Sequence, residues 1–161
     1  MDKEAQRIAL YVQRYKLLRE IGELQVEPMA DETAFLTRCC SLLLQDPEYC
    51  LLWVGREEQN GTITPVTTVV QEGLPVQQCR GLVERLVAED SITLTAAKAL
   101  ATSMPVTTPL KPNQSVPPTP LALLTTLTGS RSCGSWPLVH DREKYGVLTI
   151  HSIRENGFTG I

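Results

Sequence analysis

Two histidines, five cysteines and one Gly-Ser loop are the groups in this chain best suited to ligate a metal, move a proton or attack a substrate. A metal site needs several converging ligands, and neither His140 nor His151 has a His or Cys partner nearby in sequence. His140 falls in or beside a polar turn, where a solvated imidazole is expected. His151 closes the last apolar strand, and period-two alternation puts it on the face of Tyr145, Val147 and Thr149. The thiols are Cys39, Cys40, Cys50, Cys79 and Cys133, an odd set with no C-x-x-C pair. That pattern fits neither a disulfide framework nor a zinc site. Free thiols in apolar stretches pack as small apolar residues, and only the vicinal Cys39-Cys40 pair suggests redox sensing. The run Gly129-Ser130-Arg131-Ser132-Cys133-Gly134-Ser135 has the small polar residues of an anion nest. It lacks the following helix and lysine, and it leads into a strand, so a loop is expected. The chain has no nucleophile elbow, Walker loop or Rossmann glycine pattern. Glu57-Glu58 and Glu89-Asp90 sit at element ends, where solvated caps explain them. Trp53 and Trp136 lie in apolar strands, where an aromatic is first a core residue and second a pocket wall.

Composition places these groups in an ordinary globular domain. Apolar residues make up 42% and charged residues 20%, and the net charge of -3 comes with no basic cluster. Nucleic acid is therefore not an expected partner, because phosphate binding needs clustered Lys and Arg. No apolar run approaches the roughly 20 residues of a membrane span. The start Met1-Asp2-Lys3-Glu4 lacks the apolar core of a signal peptide. A cytoplasmic location without direct membrane contact is the expectation.

Residues Lys3 to Leu24 read as a helix with two apolar stripes. One stripe is Ile8, Tyr11, Tyr15 and Leu18, spaced by three, four and three as in a short coiled-coil seam. The other is Leu10, Leu17, Ile21 and Leu24. The division that follows is a dimerisation and signalling helix over 1–24 and a domain over 25–161. Asp31 can cap a helix over Thr33 to Leu44 that buries Ala34, Phe35, Cys39, Leu42 and Leu43. Tyr49 to Gly55 is a short continuous apolar run, read as a central strand, and Asn60-Gly61 signals a hairpin into Thr62 to Val70. Pro65 marks that second strand as an edge or a bulge. Leu82, Val83, Leu86 and Val87 give a short amphipathic helix, Thr95 to Ser103 another, and Met104 to Thr108 a short strand. Pro109 to Pro120 holds five prolines and reads as a loop, followed by one or two helical turns in Leu121 to Leu127. Ser132 to His140 and Lys144 to Ser152 are two strands joined by a polar turn. Hairpins mixed with helices make an α+β domain.

The stretch Trp136-Pro137-Leu138-Val139-His140-Asp141, followed by Tyr145-Gly146-Val147-Leu148-Thr149-Ile150, resembles the terminal hairpin of GAF domains. Asn156-Gly157-Phe158 resembles the segment in which a Phe closes over the core. Leu51-Leu52-Trp53-Val54-Gly55 resembles the family's first strand. Thr95-Ala96-Ala97-Lys98-Ala99-Leu100 with Pro105-Val106 resembles its mid-domain helix and the strand after it. The resemblance runs from about Leu24 to Ile161 and is weakest between Gln71 and Leu127.

The resemblance implies a central antiparallel sheet of about six strands, with helices on one face and loops and short helices enclosing a pocket on the other. It also implies a non-catalytic sensory or regulatory domain. Such a domain senses a small ligand or relays a signal to an adjacent histidine kinase, nucleotide cyclase or transcription activator. No single cofactor follows: the family's Asn-Lys-x-Phe-Asp-Glu cyclic-nucleotide motif is absent, and Cys133 is followed by Gly134 where a bilin-attaching member has Cys-His. Family members usually continue into a last helix, so a chain ending at Ile161 reads as a fragment. Two other readings stand beside this one. One is a ligand-free dimerisation module; the other is a GAF-like methionine-sulfoxide reductase, for which Cys79 and Cys133 are the only candidate thiols. The expected wall residues of a ligand site between the sheet and Gln71 to Leu127 are Trp53, Ser135, Trp136, Thr149 and His151. The expected homodimer seam is Ile8, Tyr11, Tyr15 and Leu18.

Overall fold

The computed structural model describes residues 32–89, 95–110, 119–140 and 142–158. The helix expected over Lys3 to Leu24, its dimer seam and the cap at Asp31 lie outside these, as does most of the proline-rich loop. The order of elements is α1 (Glu32–Leu43), β1 (Tyr49–Glu57), β2 (Ile63–Val70), α2 (Val76–Glu89), α3 (Thr95–Thr102), β3 (Val106–Pro109), α4 (Pro120–Thr128), β4 (Ser132–His140) and β5 (Glu143–Ser152). The class is α+β, as expected. Among the described residues the sheet has five strands in the order β2-β1-β5-β4-β3, one fewer than the six or so expected. Every neighbouring pair is antiparallel. No helix among the described residues is long and apolar enough to cross a membrane.

Local chemistry accounts for these elements. Gly61 adopts a left-handed φ of 83°, and Asn60 Oδ1 accepts from the Thr62 N–H at 3.2 Å, which closes the β1–β2 turn. β2 is an edge strand, and its register with β1 slips between Val54 and Gly55, opposite Thr67 and Pro65. Pro65 therefore sits at an edge and at a bulge, where its missing N–H disturbs least. α4 is capped at both ends. Thr119 Oγ1 accepts from the Ala122 N–H at 3.2 Å, Pro120 opens the helix, and Gly129 closes it at φ 73°.

The sheet is buried on both faces. Leu51, Trp53 and Val147 lie under α2, α3 and α4, which contribute Cys79, Val83, Leu86, Val87, Ala96, Ala99, Leu100 and Leu124. Leu52, Val54 and Ile150 lie on the opposite face with Tyr49, Phe158 and the α1 residues Cys40 and Leu43. Helices thus cover both faces, α1 on one and α2, α3 and α4 on the other. Leu51, Leu52, Leu86 and Leu124 are fully buried, each worth on the order of 1.5–3 kcal/mol. Phe158 stacks on Tyr49 and meets Trp136 edge-on at 5.2 Å, so it closes over the core as expected. Cys39, Leu42 and Leu43 of the expected α1 face are buried or packed on the core, but the face is turned slightly. Leu36, Cys40 and Leu43 meet the sheet while Ala34 is exposed, because the sheet lies about one residue further round the helix.

Candidate functional site

Period-two alternation across antiparallel strands decides which side chains converge. Trp53 is opposite Thr149 in the β1–β5 register, Thr149 is opposite Ser135 in β5–β4, and Cys133 is opposite His151. Opposed residues point to the same face. Trp53, Cys133, Ser135, Thr149 and His151 therefore share the face covered by α2, α3 and α4, and each is buried. Four of the five expected wall residues meet here. The fifth, Trp136, is paired with Leu148 and points to the other face, against Phe158.

This face carries a polar seam in an apolar core. Thr95 Oγ1, at the start of α3, lies 2.8 Å from Ser135 Oγ, which lies 2.7 Å from Thr149 Oγ1. Thr95 Oγ1 also lies 3.8 Å from Cys133 Sγ. At the end of β5, Cys50 Sγ donates to the His151 carbonyl at 3.3 Å, and His151 Nδ1 lies 3.5 Å from Ser130 Oγ. Trp53 is fully buried, and its Nε1, like Tyr145 Oη on the opposite face, has no hydrogen-bond partner among the described residues. An unmet buried donor costs about 1–3 kcal/mol, so its presence in a packed core calls for a reason.

The opposite end of α3 is tied to the sheet as well. Lys144 Nζ, at the start of β5, donates to the Leu100 carbonyl at 2.7 Å. A lysine at a helix C-terminus satisfies an orphan carbonyl and complements the dipole. α3 is thus pinned by Thr95 to the middle of the sheet and by Lys144 to the β4–β5 hairpin.

Burial sets the protonation states. His151 is wholly enclosed, and desolvation lowers its pKa to about 4, so the imidazole is neutral at pH 7. Desolvation also pushes the Cys133 thiol up to about 11, Cys50 to about 11 and Cys40 to about 12. The Cys79 thiol is raised by the same cause. These are poor nucleophiles, because the thiolate is the reactive form. No cluster of three or more His, Cys, Asp or Glu able to hold a metal occurs among the described residues.

Tyr145 departs from the expected pattern. It packs with Trp136, Leu138 and Leu148 on the α1 face, not beside Val147 and Thr149. The β4–β5 register slips here, Leu138 opposing Gly146 and Val139 opposing Lys144, so Tyr145 is the extra residue of a bulge that reverses its face. Thr95 and Cys133 belong to the polar seam but were not among the expected wall residues. Alternation from Ser135 would have found Cys133; Thr95 arrives from another element and leaves no local signal. A groove of about 120 Å³ runs along β3 between Thr107, Thr108 and the 155–158 segment. Its buried Ser132 hydroxyl already donates to the Arg154 carbonyl at 2.6 Å. The expected dimer residues Ile8, Tyr11, Tyr15 and Leu18 lie outside the described residues.

No model of a known protein family matches the chain, and no curated protein matches it. Solved structures do. The GAF domain of A. aeolicus nlh2, in an inactive state, is 15% identical, with 89% of this chain and 81% of that chain covered and a TM-score of 0.60. The N-acylhomoserine lactone dependent LuxR-family transcription factor CepR2 from Burkholderia cenocepacia is 14% identical, with 88% and 79% covered and a TM-score of 0.55. The fold is GAF-like, as the hairpin, first strand and mid-domain helix suggested.

Proposed function

We propose that this GAF-like chain is a non-catalytic sensory module that takes a small molecule between the sheet and the segment 71–127 and signals to an adjacent output domain. That output would be a histidine kinase, a nucleotide cyclase or a transcription activator. The carrying observation is the polar seam of Thr95, Ser135 and Thr149 beside the unpartnered Trp53 indole, set in a largely apolar core. Such groups weaken a purely structural core, whereas a binding face needs a few polar groups among apolar walls. The fold likeness to the GAF domain of A. aeolicus nlh2 supports the same reading.

α3 is the element best suited to carry the signal. A ligand that takes over the sheet hydroxyls releases Thr95, and the Lys144 contact passes the shift to the β4–β5 hairpin. The change is a population shift between two packings of α3, of the 1–3 kcal/mol size usual for coupled sites. Against an enzyme stand the raised thiol pKa values of Cys79 and Cys133, which ill suit a sulfoxide reductase. We further propose that the protein works in the cytoplasm as a homodimer joined through Ile8, Tyr11, Tyr15 and Leu18. Light scattering of wild type against Tyr11→Glu with Tyr15→Glu tests that: the variant should be monomeric, and a monomeric wild type at high micromolar concentration would refute it.

Native mass spectrometry of freshly purified protein tests the sensory reading. A retained small molecule, lost in the Ser135→Ala and Thr149→Val double variant, supports it. Retention undiminished by that double variant places the ligand elsewhere and refutes the assignment.

A further inference from the structure

The polar seam has a donor surplus, and that surplus says what it binds. Thr95, Cys133, Ser135 and Thr149 carry one hydroxyl or thiol proton each, and three contacts link them. Each contact uses one proton, so among the described residues one donor remains over, whichever way the hydroxyls rotate. The Trp53 indole N–H adds a second, because Nε1 donates only and has no acceptor among the described residues. The benzo edge of Trp53 lies over Gly55, where a Cβ would come within 2.8 Å of Cζ3, so the Nε1 edge turns away from Gly55. Thr149 is the direct cross-strand neighbour of Trp53, so when the donors run Cys133 to Thr95 to Ser135 to Thr149 the surplus proton stands beside the indole.

Among the described residues the same face carries no charge. The side chains of the core under α2, α3 and α4 are all apolar apart from thiols, hydroxyls, the indole and the neutral His151. Arg80, Glu84, Arg85 and Lys98 stand on the exposed sides of α2 and α3, and Lys144 is committed to the Leu100 carbonyl. A carboxylate, phosphate or ammonium buried here would have no counter-ion, a heavy penalty in a low-dielectric core. We infer that the ligand of this face is an uncharged small molecule that presents an acceptor oxygen, as a carbonyl does, to the Trp53 indole and the Thr95–Ser135–Thr149 chain. This rests on the small-molecule reading of the face given above.

Indole ¹⁵N–¹H spectra of the full chain test it, with Trp53 assigned by its loss in Trp53→Phe and Trp136, on the other face, as internal control. The neutral probes are 2-piperidone and cyclohexanone; their charged counterparts are piperidinium and cyclohexanecarboxylate. The neutral probes should move the Trp53 signal saturably, leave Trp136 in place, and bind about tenfold more weakly to Trp53→Phe, read from β5 amide shifts. Thr149→Val, which keeps the side-chain shape, should weaken them by a similar factor. Charged counterparts that bind as well as the neutral ones overturn the inference. So does an indole signal that no probe moves, the mark of a buried water alone. Probes that shift β4 and β5 amides without moving Trp53 overturn the ligand class and leave the small-molecule reading standing. Absence of probe binding together with absence of any retained mass in native spectrometry removes both.

Discussion

Gly146→Ala should unfold this protein more readily than any other single methyl addition to the sheet. A Cβ at Gly146 would collide with the Gly55 carbonyl oxygen and come within 2.9 Å of both the Gly55 carbonyl carbon and Arg56 Cα. All three are backbone atoms of β1, so no flexible side chain can give way. The β1–β5 pair must separate where Arg56 opposes Gly146. Overpacking a closed core costs about 1–3 kcal/mol, and each ladder hydrogen bond lost adds about 1 kcal/mol. The total is about 3 kcal/mol or more, or a fall in Tm of about 6–12 °C at 2–4 °C per kcal/mol. Gly81→Ala is the matched control. Gly81 lies inside α2, and a Cβ there meets nothing within 4 Å. Alanine should stabilise that helix by about 0.5–1 kcal/mol. Thermal and urea unfolding followed by circular dichroism would show both. A Gly146→Ala midpoint within error of wild type would refute the close strand approach.

Ser135→Ala removes the hydroxyl shared by Thr95 and Thr149 and should cost about 1–3 kcal/mol in urea unfolding, more than Ser→Ala at an exposed position. The His151 pKa is depressed to about 4 in the fold, below the roughly 6.5 of the unfolded chain, so the unfolded state takes up its proton first as pH falls. Its contribution is therefore present above about pH 6.5 and lost toward pH 4; between pH 7 and pH 5 the loss is about 2 kcal/mol, and His151→Gln should lack this component. The five thiols, all free and buried, should be silent to a disulfide reagent at pH 8 and react together once guanidinium unfolds the chain; a fast-reacting Cys133 in the folded protein would contradict its packing.

Strand identity was plain in the sequence where apolar runs and alternation agree. β1, β4 and β5 appear where Leu51-Leu52-Trp53-Val54 and the last hairpin place them, because both faces of these strands are buried. The joining of the two hairpins through β1 and β5 was not, since residues about a hundred positions apart pair there. Register slips were equally hidden. The bulge at Tyr145 turns a residue expected beside Val147 and Thr149 onto the α1 face. Trp136 could not be assigned a face without knowing that Ser135 sits opposite Thr149. α2 begins at Val76, six residues before the apolar stripe at Leu82, because Pro75 opens the helix and accepts the Cys79 N–H at 3.1 Å. Thr95 joins the seam only through the packing of α3 on the sheet, which no local pattern records.

The central claim is that the face under α2, α3 and α4 is the sensing face and that α3 responds. Hydrogen–deuterium exchange tests it most directly, comparing freshly purified protein with the same protein stripped of retained small molecules by unfolding and refolding. The account predicts that stripping lowers exchange in Thr95–Thr102, where Thr95 regains Ser135, and raises it in the β4 and β5 residues around Ser135 and Thr149 that the ligand covered, while Glu32–Leu43 is unchanged. A difference confined to Glu32–Leu43 and the opposite face of the sheet would contradict it.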